Sequence, residues 1–570
     1  MGQVDGNGSV AAGLVQISDG PVATRLVQIG DGYVEEERRD GEAASYPQQA
    51  RNSCNYKMAQ KRASCVNNTE SKTNNNMNQE NYDPCFPDQP VVDLYLPLWA
   101  NLPAFRSKPA LIWAEDGSNH ATKTLVYAQL NDSVQSISSQ LLIPLQRGDT
   151  VVILCSPGLE LVEIIFGCQR AGLLSVPIFP PDPSFPKQNY LHLVRALSQT
   201  KPKAAIAHRD YITKVQQYIS SPFNDKKLAQ MLQNLKWIST DDVKDNKAGF
   251  KFSSSLYVSA AHNVRMARKS YDLHPNSIIV SWLPQYHDCG LMFLLLTIVS
   301  VATCVLTSPG AFVNRPRLWL ELISEFSATC TPVPSFALPL VVKRGGIGKG
   351  TLPITLWSLR NLIIINEPIC RESIEEFVDV FKPFGLNPSC ISPYYGLAEN
   401  CTFVSTAWRG NEDSTSFPNI PTHNKLLPSA RLAPWCMNNE EEDMDIIVVN
   451  EETCEPVEDG IEGEIWISSP SNASGYLGHP SLTREVFQGR LSNKVSRCFV
   501  RTGDRGIVIG EERFLFVTGR CSDTIKLHNN LEIHLHYIET TAYNSCPKFL
   551  RGGCLAAFKV SNAIVLVAEK

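Results

Sequence analysis

Short apolar runs and longer helical patterns alternate along most of the chain. From Val91 onward, runs typical of buried strands are followed by stretches with apolar residues at helical spacing, which predicts parallel sheets covered by helices. Thr150–Leu154 is a predicted strand, residues 158–171 are a predicted helix, and Asn361–Ile365 is another predicted strand. We therefore expect a large α/β domain with two sheets.

The pattern changes after Asp445, where the apolar runs become shorter and turn residues separate them. Such runs predict a small β-rich lobe, either a barrel or a meander. The strands predicted there are residues 446–449, 463–467 and 514–517. After Arg520 we expect a short α+β piece.

Residues 1–89 show neither pattern, because they are polar and contain an asparagine-rich patch between Asn67 and Asn81. A segment with so little apolar surface cannot offset the entropy cost of ordering the chain. We therefore predict a disordered segment at residues 1–89, a main domain with its lobe at residues 90–518, and a smaller carboxyl-terminal subdomain at residues 519–570.

The overall composition narrows the possible classes of function. The 570 residues are 43% hydrophobic and 19% charged, which is typical of a soluble globular protein. A formal net charge of −5 argues against a nucleic-acid partner, which normally requires a clustered basic surface. The 17 cysteines have no zinc-ligand spacing, so we expect reduced thiols and a cytoplasmic protein.

An uncharged run from Cys289 to Asn314 contains a strongly apolar part at residues 291–299. Two explanations are a membrane span and a buried helix. Thr and Ser interrupt the run, its apolar part is shorter than about 20 residues, and its flanks have no excess of Lys and Arg. We therefore predict a buried helix and no integral membrane span.

Three short motifs predict a nucleotide pocket. Tyr-Tyr-Gly-Leu-Ala-Glu at residues 394–399 is followed by Arg-Thr-Gly-Asp at residues 501–504 and by Gly-Arg at residues 519–520. An aromatic ring can stack on adenine, one carboxylate can hold Mg²⁺ against phosphate, and a second carboxylate can bind ribose hydroxyls. Each motif alone has a simpler explanation, because Tyr-Tyr-Gly is common at strand ends and Thr-Gly-Asp in hairpin turns.

Together with Ser-Trp-Leu-Pro-Gln-Tyr-His-Asp at residues 281–288, these motifs resemble the adenylate-forming (AMP-dependent synthetase/ligase) superfamily. Residues 125–130, 167–172 and 281–291 and the proline-rich residues 177–186 resemble its fatty acyl-AMP ligase branch, and the resemblance covers residues 91–570. It implies a large adenylating domain with two α/β sheets and a β-rich lobe, followed by a truncated α+β carboxyl-terminal domain.

The activity implied by the resemblance is that of a ligase in fatty acid metabolism. With ATP and Mg²⁺ as cofactors, such an enzyme converts a fatty acid into an acyl-adenylate and releases pyrophosphate. The acyl group then passes to the phosphopantetheine thiol of a carrier protein or to coenzyme A. The fatty acid carboxylate itself attacks the α-phosphorus, so the protein acts by positioning and by charge stabilisation.

The resemblance also implies roles for individual residues. Glu399 would bind Mg²⁺ and His287 would line the junction between the acyl tunnel and the reacting carboxylate, which makes these two the candidate catalytic residues. Asp504 would hold ribose, and Arg520 would reach ribose or the α-phosphate. The residues that would frame adenine, with Tyr395 stacking on it, are Asn366, Glu367, Pro368, Tyr395 and Gly396. Alternatively, His287 is a core histidine bonded to backbone, and Glu399 and Asp504 are cap or turn carboxylates.

Two departures from the family pattern predict slow catalysis. The family has a Ser/Thr/Gly-rich phosphate loop ending in Pro-Lys, whereas residues 252–261 of this chain contain no glycine. Only Gly lets backbone N–H groups approach the phosphates closely enough to cradle them. Residues 345–351 do not replace this loop, since Lys349 is followed by Gly350 instead of Ser or Thr, and we expect a surface loop there. The chain also stops before the position expected for a late lysine of the family.

Two hypotheses therefore stay open. The first is a fatty acyl-adenylating enzyme, which the three motifs favour. The second is a catalytically impaired relative or truncated isoform that serves as a nucleotide- or acyl-binding module, which the two departures favour.

Overall fold

The computed structural model describes residues 91–114, 122–181, 190–244, 258–345, 353–365, 368–407, 420–432, 444–491, 497–526, 532–546, 549–550, 555–560 and 563–568. These residues all belong to the contact unit Asn75–Lys570. Three predictions lie outside the described residues: the disordered segment at 1–89, the surface loop after Gly345, and the positions of Asn366 and Glu367.

The larger sheet has eight strands: β1 Pro109–Ala114, β2 Thr122–Val126, β7 Ile278–Ser281, β8 Thr303–Leu306, β9 Cys330–Pro334, β10 Asn361–Ile365, β11 Ile391–Leu397 and β12 Thr402–Thr406. Their order across the sheet is β12-β11-β10-β9-β7-β8-β1-β2. The inner strands pair in parallel, and β12 and β2 pair antiparallel at the two edges. The carboxyl ends of the parallel strands therefore share one edge, where open α/β sheets bind ligands.

A second sheet of four parallel strands consists of β3 Thr150–Leu154, β4 Leu174–Pro177, β5 Ala204–Ala207 and β6 Lys236–Ser239, in the order β4-β3-β5-β6. Most of its residues are buried, which explains why the strands are apolar on both faces. Helices connect the strands of both sheets, as parallel pairing requires.

The helices of the described residues are α1 Val91–Asn101, α2 Tyr127–Leu141, α3 Leu159–Ala171, α4 Tyr190–Thr200, α5 Arg209–Ser220, α6 Lys226–Gln233, α7 Thr240–Lys244, α8 Val258–Tyr271, α9 Asp288–Ser300, α10 Pro309–Asn314, α11 Arg317–Glu325, α12 Ala337–Arg344, α13 Arg371–Phe381, α14 Pro480–Phe487 and α15 Leu535–Ser545. Helix α9 is apolar and almost completely buried. A buried donor holds its carboxyl end, since the Tyr127 hydroxyl shares its proton between the carbonyl of Thr297 in the helix and that of Ala302 just after it, at 3.1 and 2.8 Å. Among the described helices, none combines the length and the apolar character that a bilayer span requires.

The β-rich lobe is an antiparallel sheet of β13 Ala430–Arg431, β14 Asp445–Val449, β15 Gly463–Ser468, β16 Val500–Ile509 and β17 Phe514–Arg520, in the order β13-β17-β16-β15-β14. Its apolar side chains form a core around Ile465, Val500 and Leu515, which also includes Tyr395, Leu397 and Val404 of the larger sheet. The lobe strands extend beyond the predicted apolar runs, because backbone pairing continues to Arg520, which lies opposite Asp504.

The carboxyl-terminal piece contains β18 Thr524–Lys526, β19 Glu532–His534, helix α15, and the hairpin of β20 Leu555–Val560 and β21 Ala563–Ala568. Charged contacts hold it against the lobe. Nη1 of Arg505 lies 2.6 Å from a Glu532 oxygen, and Nε2 of His534 lies 3.4 Å from a Glu462 oxygen. Gly519 allows this approach, since a Cβ there would lie 2.7 Å from Nδ1 of His534.

The architecture confirms the predicted fold class of two α/β sheets, a β-rich lobe and a small α+β piece. The predicted strands Thr150–Leu154 and Asn361–Ile365 are present with those bounds, and the predicted helix begins at Leu159 after Gly158. No disulfide joins the cysteines of the described ranges. Burial raises the pKa of the Cys304 thiol to about 12, which keeps it protonated and unreactive.

The first turn of α9 packs against the loop before it, and Gly290 makes this possible. A Cβ at Gly290 would lie 2.0 Å from the carbonyl oxygen of Pro284, a backbone atom that cannot move aside alone. We therefore predict that Gly290→Ala lowers the free energy of unfolding by about 1–3 kcal/mol, measured by urea denaturation. Gly310→Ala in α10 is the matched control, because its nearest neighbour would be a Ser308 oxygen at 3.8 Å. A Gly290→Ala protein as stable as the wild type would contradict this packing.

Candidate active site

A buried contact joins the larger sheet to the lobe at the predicted nucleotide site. The Tyr395 hydroxyl on β11 donates to Oδ2 of Asp504 on β16 at 2.8 Å, although the residues are 109 positions apart in the sequence. Nε of Arg520, at the end of β17, lies 3.5 Å from Oδ1 of the same carboxylate. The structure thus brings the predicted aromatic ring, ribose carboxylate and cation together.

Burial decides the protonation of this contact. Tyr395 is 5% exposed and Asp504 is 8% exposed. Burial, followed by the neighbouring Asp504 carboxylate, holds the pKa of Tyr395 well above its usual value. The Tyr395 hydroxyl therefore stays protonated and remains a donor, which fixes one edge of its ring.

Asp504 reaches the site because β16 contains a bulge. Arg501 pairs with Trp466 and Arg505 pairs with Glu464, so residues 502–504 lie opposite Ile465 alone. Gly503 has φ +68°, a left-handed conformation that favours glycine. The simpler explanation of Thr-Gly-Asp as a hairpin turn does not apply, because these residues lie inside β16.

The hydroxyl of Thr502 stabilises the bulge by replacing lost strand pairing. It donates to the carbonyl of Ile465 at 2.7 Å and accepts from the Asp504 N–H at 3.0 Å. The Thr502 hydroxyl thus anchors the chain on both sides of Gly503, at Thr502 itself and at the Asp504 N–H. The position of Asp504 therefore does not depend on the contacts of its side chain alone.

Gly396 occupies a position that no larger residue fits. A Cβ there would lie 1.8 Å from the Thr402 carbonyl oxygen and 2.1 Å from the Tyr394 hydroxyl. The pairing of β11 with β12 also shifts register between Tyr395 and Gly396. Gly396 therefore allows the end of β11 to pack closely on its neighbours next to Tyr395.

Glu399 lies in the short turn after β11 and is 9% exposed. Its carboxylate accepts a hydrogen bond from the Tyr476 hydroxyl, and its backbone carbonyl accepts from the Ala473 N–H at 2.8 Å. Burial, followed by the Glu399 carboxylate, raises the pKa of Tyr476, whereas the charge of Arg520 lowers it. The charge of Arg520 thus lowers the pKa of both Tyr395 and Tyr476, against the larger effect of burial.

A buried amide on α8 fixes the chain that follows Glu399. Nδ2 of Asn263 donates to the carbonyls of Asn400 and Phe403 at 2.7 and 2.6 Å, and its Oδ1 accepts from the Phe403 N–H at 3.1 Å. The adjacent His262 has its Nδ1 2.8 Å from the Ser471 hydroxyl. Helix α8 therefore holds the turn of Glu399 and the segment that leads to Tyr476.

His287 lies at the amino end of α9, where its Nδ1 accepts from the Cys289 N–H at 3.3 Å and contacts the Asp288 carboxylate. This backbone bond agrees with the alternative of a histidine bonded to backbone, although His287 is half-buried and not in the core. The role of His287 beside an acyl tunnel stays a prediction. Burial, followed by the neighbouring Cys289, Tyr271 and Asp288, raises the pKa of Tyr394 on β11 well above its usual value. Of the predicted adenine residues, Pro368 is half-buried just after β10.

A match to a known sequence family is consistent with the geometry of this site. Residues 98–254 and 252–477 match the family described as AMP-binding enzyme, which is well over half of the chain. The chain belongs to the AMP-binding enzyme family. The two matched segments meet at residues 252–254, where this AMP-binding enzyme has no Gly-rich loop in its sequence.

Several known proteins are similar to this AMP-binding enzyme over most of their length. The medium-chain-fatty-acid–[acyl-carrier-protein] ligase JamA of Moorena producens is 26% identical over 491 residues, which are 78% of this chain and 80% of the relative. The long-chain-fatty-acid–AMP ligase FadD32 of Mycolicibacterium smegmatis is 26% identical over 527 residues, 83% of this chain and 80% of the relative. These relatives confirm the predicted fatty acyl-AMP ligase resemblance.

A solved structure supports the same assignment. The fatty acyl-adenylate ligase from Legionella pneumophila, in complex with acyl adenylate and pyrophosphate, has a TM-score of 0.64 and 25% identity. The match covers 84% of this chain and 86% of that chain. The adenylate-forming fold predicted from the sequence is thereby confirmed.

Two residues of the site were not predicted from the sequence. Tyr476 bonds to Glu399, and Asn263 fixes the chain after it. Neither residue has a periodic context that would mark it, and each acts across 77 or more positions of sequence. Only their sequence neighbours could have pointed to these two residues. Tyr476 follows a glycine, and Asn263 follows the segment that lacks a phosphate loop.

Asn263 should be essential for the shape of the Glu399 turn. We predict that Asn263→Ala lowers the free energy of unfolding by about 2–4 kcal/mol, because the Asn400 carbonyl and the Phe403 N–H lose Asn263 as their partner, whereas the Phe403 carbonyl keeps the Asn400 amide at 2.7 Å. Urea denaturation measures this loss. Asn276→Ala, at an exposed position, is the control and should be nearly neutral. Equal stability of the two variants would show that the Asn263 hydrogen bonds do not hold the turn.

Proposed function

We propose that this AMP-binding enzyme activates a fatty acid with ATP, giving an acyl-adenylate and pyrophosphate. The observation that carries the proposal is the contact of Tyr395, Asp504 and Arg520 across two sheets, with Glu399 in the short turn that follows the strand of Tyr395. These groups have the chemistry to bind adenine, ribose and phosphate. Relatives that are named as fatty acid ligases supply the substrate class.

In the proposed reaction, a carboxylate oxygen of the fatty acid attacks the α-phosphorus of ATP. A new P–O bond forms, the bond from the α-phosphorus to the oxygen that bridges to the β-phosphorus breaks, and pyrophosphate leaves with its electron pair. The protein forms no covalent bond in this step. Its contribution is to position the reactants and to stabilise charge, which preorganised polar groups do most effectively.

Asp504 and Arg520 supply complementary parts of nucleotide binding. The Asp504 carboxylate is a hydrogen-bond acceptor held beside Tyr395 and Arg520, and a carboxylate is the type of group that accepts hydrogen bonds from ribose hydroxyls. The guanidinium of Arg520 donates toward ribose or the α-phosphate, where negative charge accumulates. The Tyr395 ring, fixed by its hydroxyl, stacks on adenine.

Glu399 is the proposed Mg²⁺ ligand. Mg²⁺ prefers hard oxygen ligands and is often bound by one or two carboxylates together with water and substrate phosphates. The buried Glu399 carboxylate fits this description, because a hydroxyl donor rather than a cation holds it. When bound, the ion supplies positive charge to the phosphates. Within the described part of the chain, the cluster of three potential metal ligands is His287, Asp288 and Cys289, which does not include Glu399.

The second half-reaction transfers the acyl group to a thiol. The sulfur attacks the carbonyl carbon of the acyl-adenylate, and AMP leaves. We propose the phosphopantetheine of an acyl-carrier protein as acceptor, because the relative JamA is named as a ligase for such a protein. Coenzyme A is the alternative acceptor.

A second candidate function, nucleotide or acyl binding with weak catalysis, rests on one observation. Residues 251–257, which precede α8, contain no glycine, and the two family-matched segments meet there. The similarity to ligases over about four-fifths of the chain favours the enzyme. We therefore propose an enzyme whose rate is limited by weak contacts to the leaving pyrophosphate.

Asp504→Asn tests the nucleotide site directly. A neutral amide weakens charge-assisted hydrogen bonds to ribose, so kcat/KM for ATP should fall about 10- to 100-fold. Fatty-acid-dependent pyrophosphate release measures the change. Asp459→Asn is the matched control, because Asp459 forms an exposed ion pair with Arg513 elsewhere on the lobe. If both variants keep wild-type activity, Asp504 does not bind the nucleotide.

A loop insertion tests the rate limit. We predict that a Thr/Gly-rich segment ending in Pro-Lys, inserted between Ser255 and Val258, raises kcat about 10- to 1,000-fold, because backbone donors stabilise the leaving phosphates. Single-turnover pyrophosphate release measures the gain.

The control for this experiment is an insertion of equal length without glycine or lysine. An unmodified chain that turns over as fast as the chain with the Gly-rich insertion would show that the enzyme does not require this loop.

A further inference from the structure

Glu464 is a buried carboxylate behind the proposed nucleotide site, and no step of the proposed reaction uses it. It lies on β15 and is 4% exposed. Its Oε2 accepts from Nε1 of Trp466 at 2.9 Å and from Nη2 and Nε of Arg501 at 3.0 and 3.3 Å. Its Oε1 accepts from the Gly503 N–H at 3.2 Å.

These contacts enclose the bulge that carries Asp504. Arg501 is the residue before the bulge, and Gly503 lies at its centre with a left-handed backbone. A guanidinium stacks over Trp466 at 5.5 Å from the ring centroid, so Arg501 is held on two sides. Glu464 is therefore bonded to the bulge at its start and at its centre, while Asp504 is the next residue.

At position 464, a carboxylate can pair with the surrounding donors better than any other side chain. Both of its oxygens accept, and every partner here is a donor: an indole N–H, a guanidinium and a backbone N–H. Glutamine has the same shape, but its amide nitrogen would face one of these donors. A buried donor left without an acceptor is unfavourable, so the bulge would move to find another partner.

We propose that Glu464 is a positioning residue that sets the Asp504 carboxylate in register with the ribose hydroxyls of the nucleotide. This inference rests on the proposed function, because it assigns ribose binding to Asp504. Its consequence is specific: Glu464 controls how well the protein distinguishes ribose from deoxyribose, although it does not touch the sugar.

Isothermal titration of the full chain with AMP and with 2′-deoxy-AMP tests the inference. The wild type should bind AMP about tenfold more tightly than 2′-deoxy-AMP, the value of one hydrogen bond to a charged group. Asp504→Asn should remove this preference. Glu464→Gln should reduce it to about twofold, while Glu511→Gln, in the exposed turn between β16 and β17, should keep it.

Gly503→Ala is the second variant, in case Glu464→Gln does not fold. A Cβ at Gly503 meets no atom within 4 Å, so this change acts only by straining the left-handed backbone, and it should lower the AMP preference in the same direction. A merely structural role for Glu464 would lower stability and leave the ratio of the two affinities unchanged.

The outcomes separate the two proposals. If Asp504→Asn loses the preference for AMP and both Glu464→Gln and Gly503→Ala keep it, the positioning role of Glu464 is overturned and ribose binding by Asp504 stands. If the wild type does not distinguish the two nucleotides, or Asp504→Asn still does, ribose binding by Asp504 fails and the inference fails with it.

Discussion

The hydrogen bond from Tyr395 to Asp504 connects the larger sheet to the lobe, where Tyr395, Leu397 and Val404 of the larger sheet also pack into the apolar core of the lobe. Tyr395 stands at the end of a strand in the larger sheet, and Asp504 stands on the lobe. A buried hydroxyl and a buried carboxylate are unfavourable apart and compatible together. The contact therefore brings groups from both sheets together at the proposed nucleotide site. The placement of Arg520 and the proposed ribose contact both depend on it.

Local backbone features position the residue that each sheet contributes to this contact. On the larger sheet, Gly396 lets β11 pack closely, and Asn263 secures the turn that bears Glu399. On the lobe, a bulge with Thr502 and Gly503 presents Asp504. The carboxylates of Glu399, Glu464 and Asp504 are buried, and hydroxyl, indole and backbone donors hold them in place. Such preorganisation is the main way in which a protein accelerates a reaction that forms no covalent bond to it.

The sequence predicted the parts of this structure that depend on local pattern. Thr150–Leu154 and Asn361–Ile365 are continuous apolar runs, and their bounds were predicted correctly because a buried parallel strand is apolar on both faces. Tyr395, Glu399 and Asp504 were identified from their order along the chain. Tyr476 and Glu464 were not, because a single polar residue gives no periodic signal and its partner is known only once the chain has folded. The bulge was missed for the same reason, since Thr-Gly-Asp suits a hairpin turn equally well.

The central claim is that the fatty acid carboxylate attacks the α-phosphorus within the site formed by Tyr395, Asp504 and Arg520. Fatty acid labelled with ¹⁸O in both carboxylate oxygens tests this claim most directly. Attack at phosphorus transfers one of these oxygens to the phosphate, so the AMP released after thiol transfer or hydrolysis at the carbonyl should carry one ¹⁸O atom by mass spectrometry. AMP that is released in a fatty-acid-dependent reaction without the label would contradict the account.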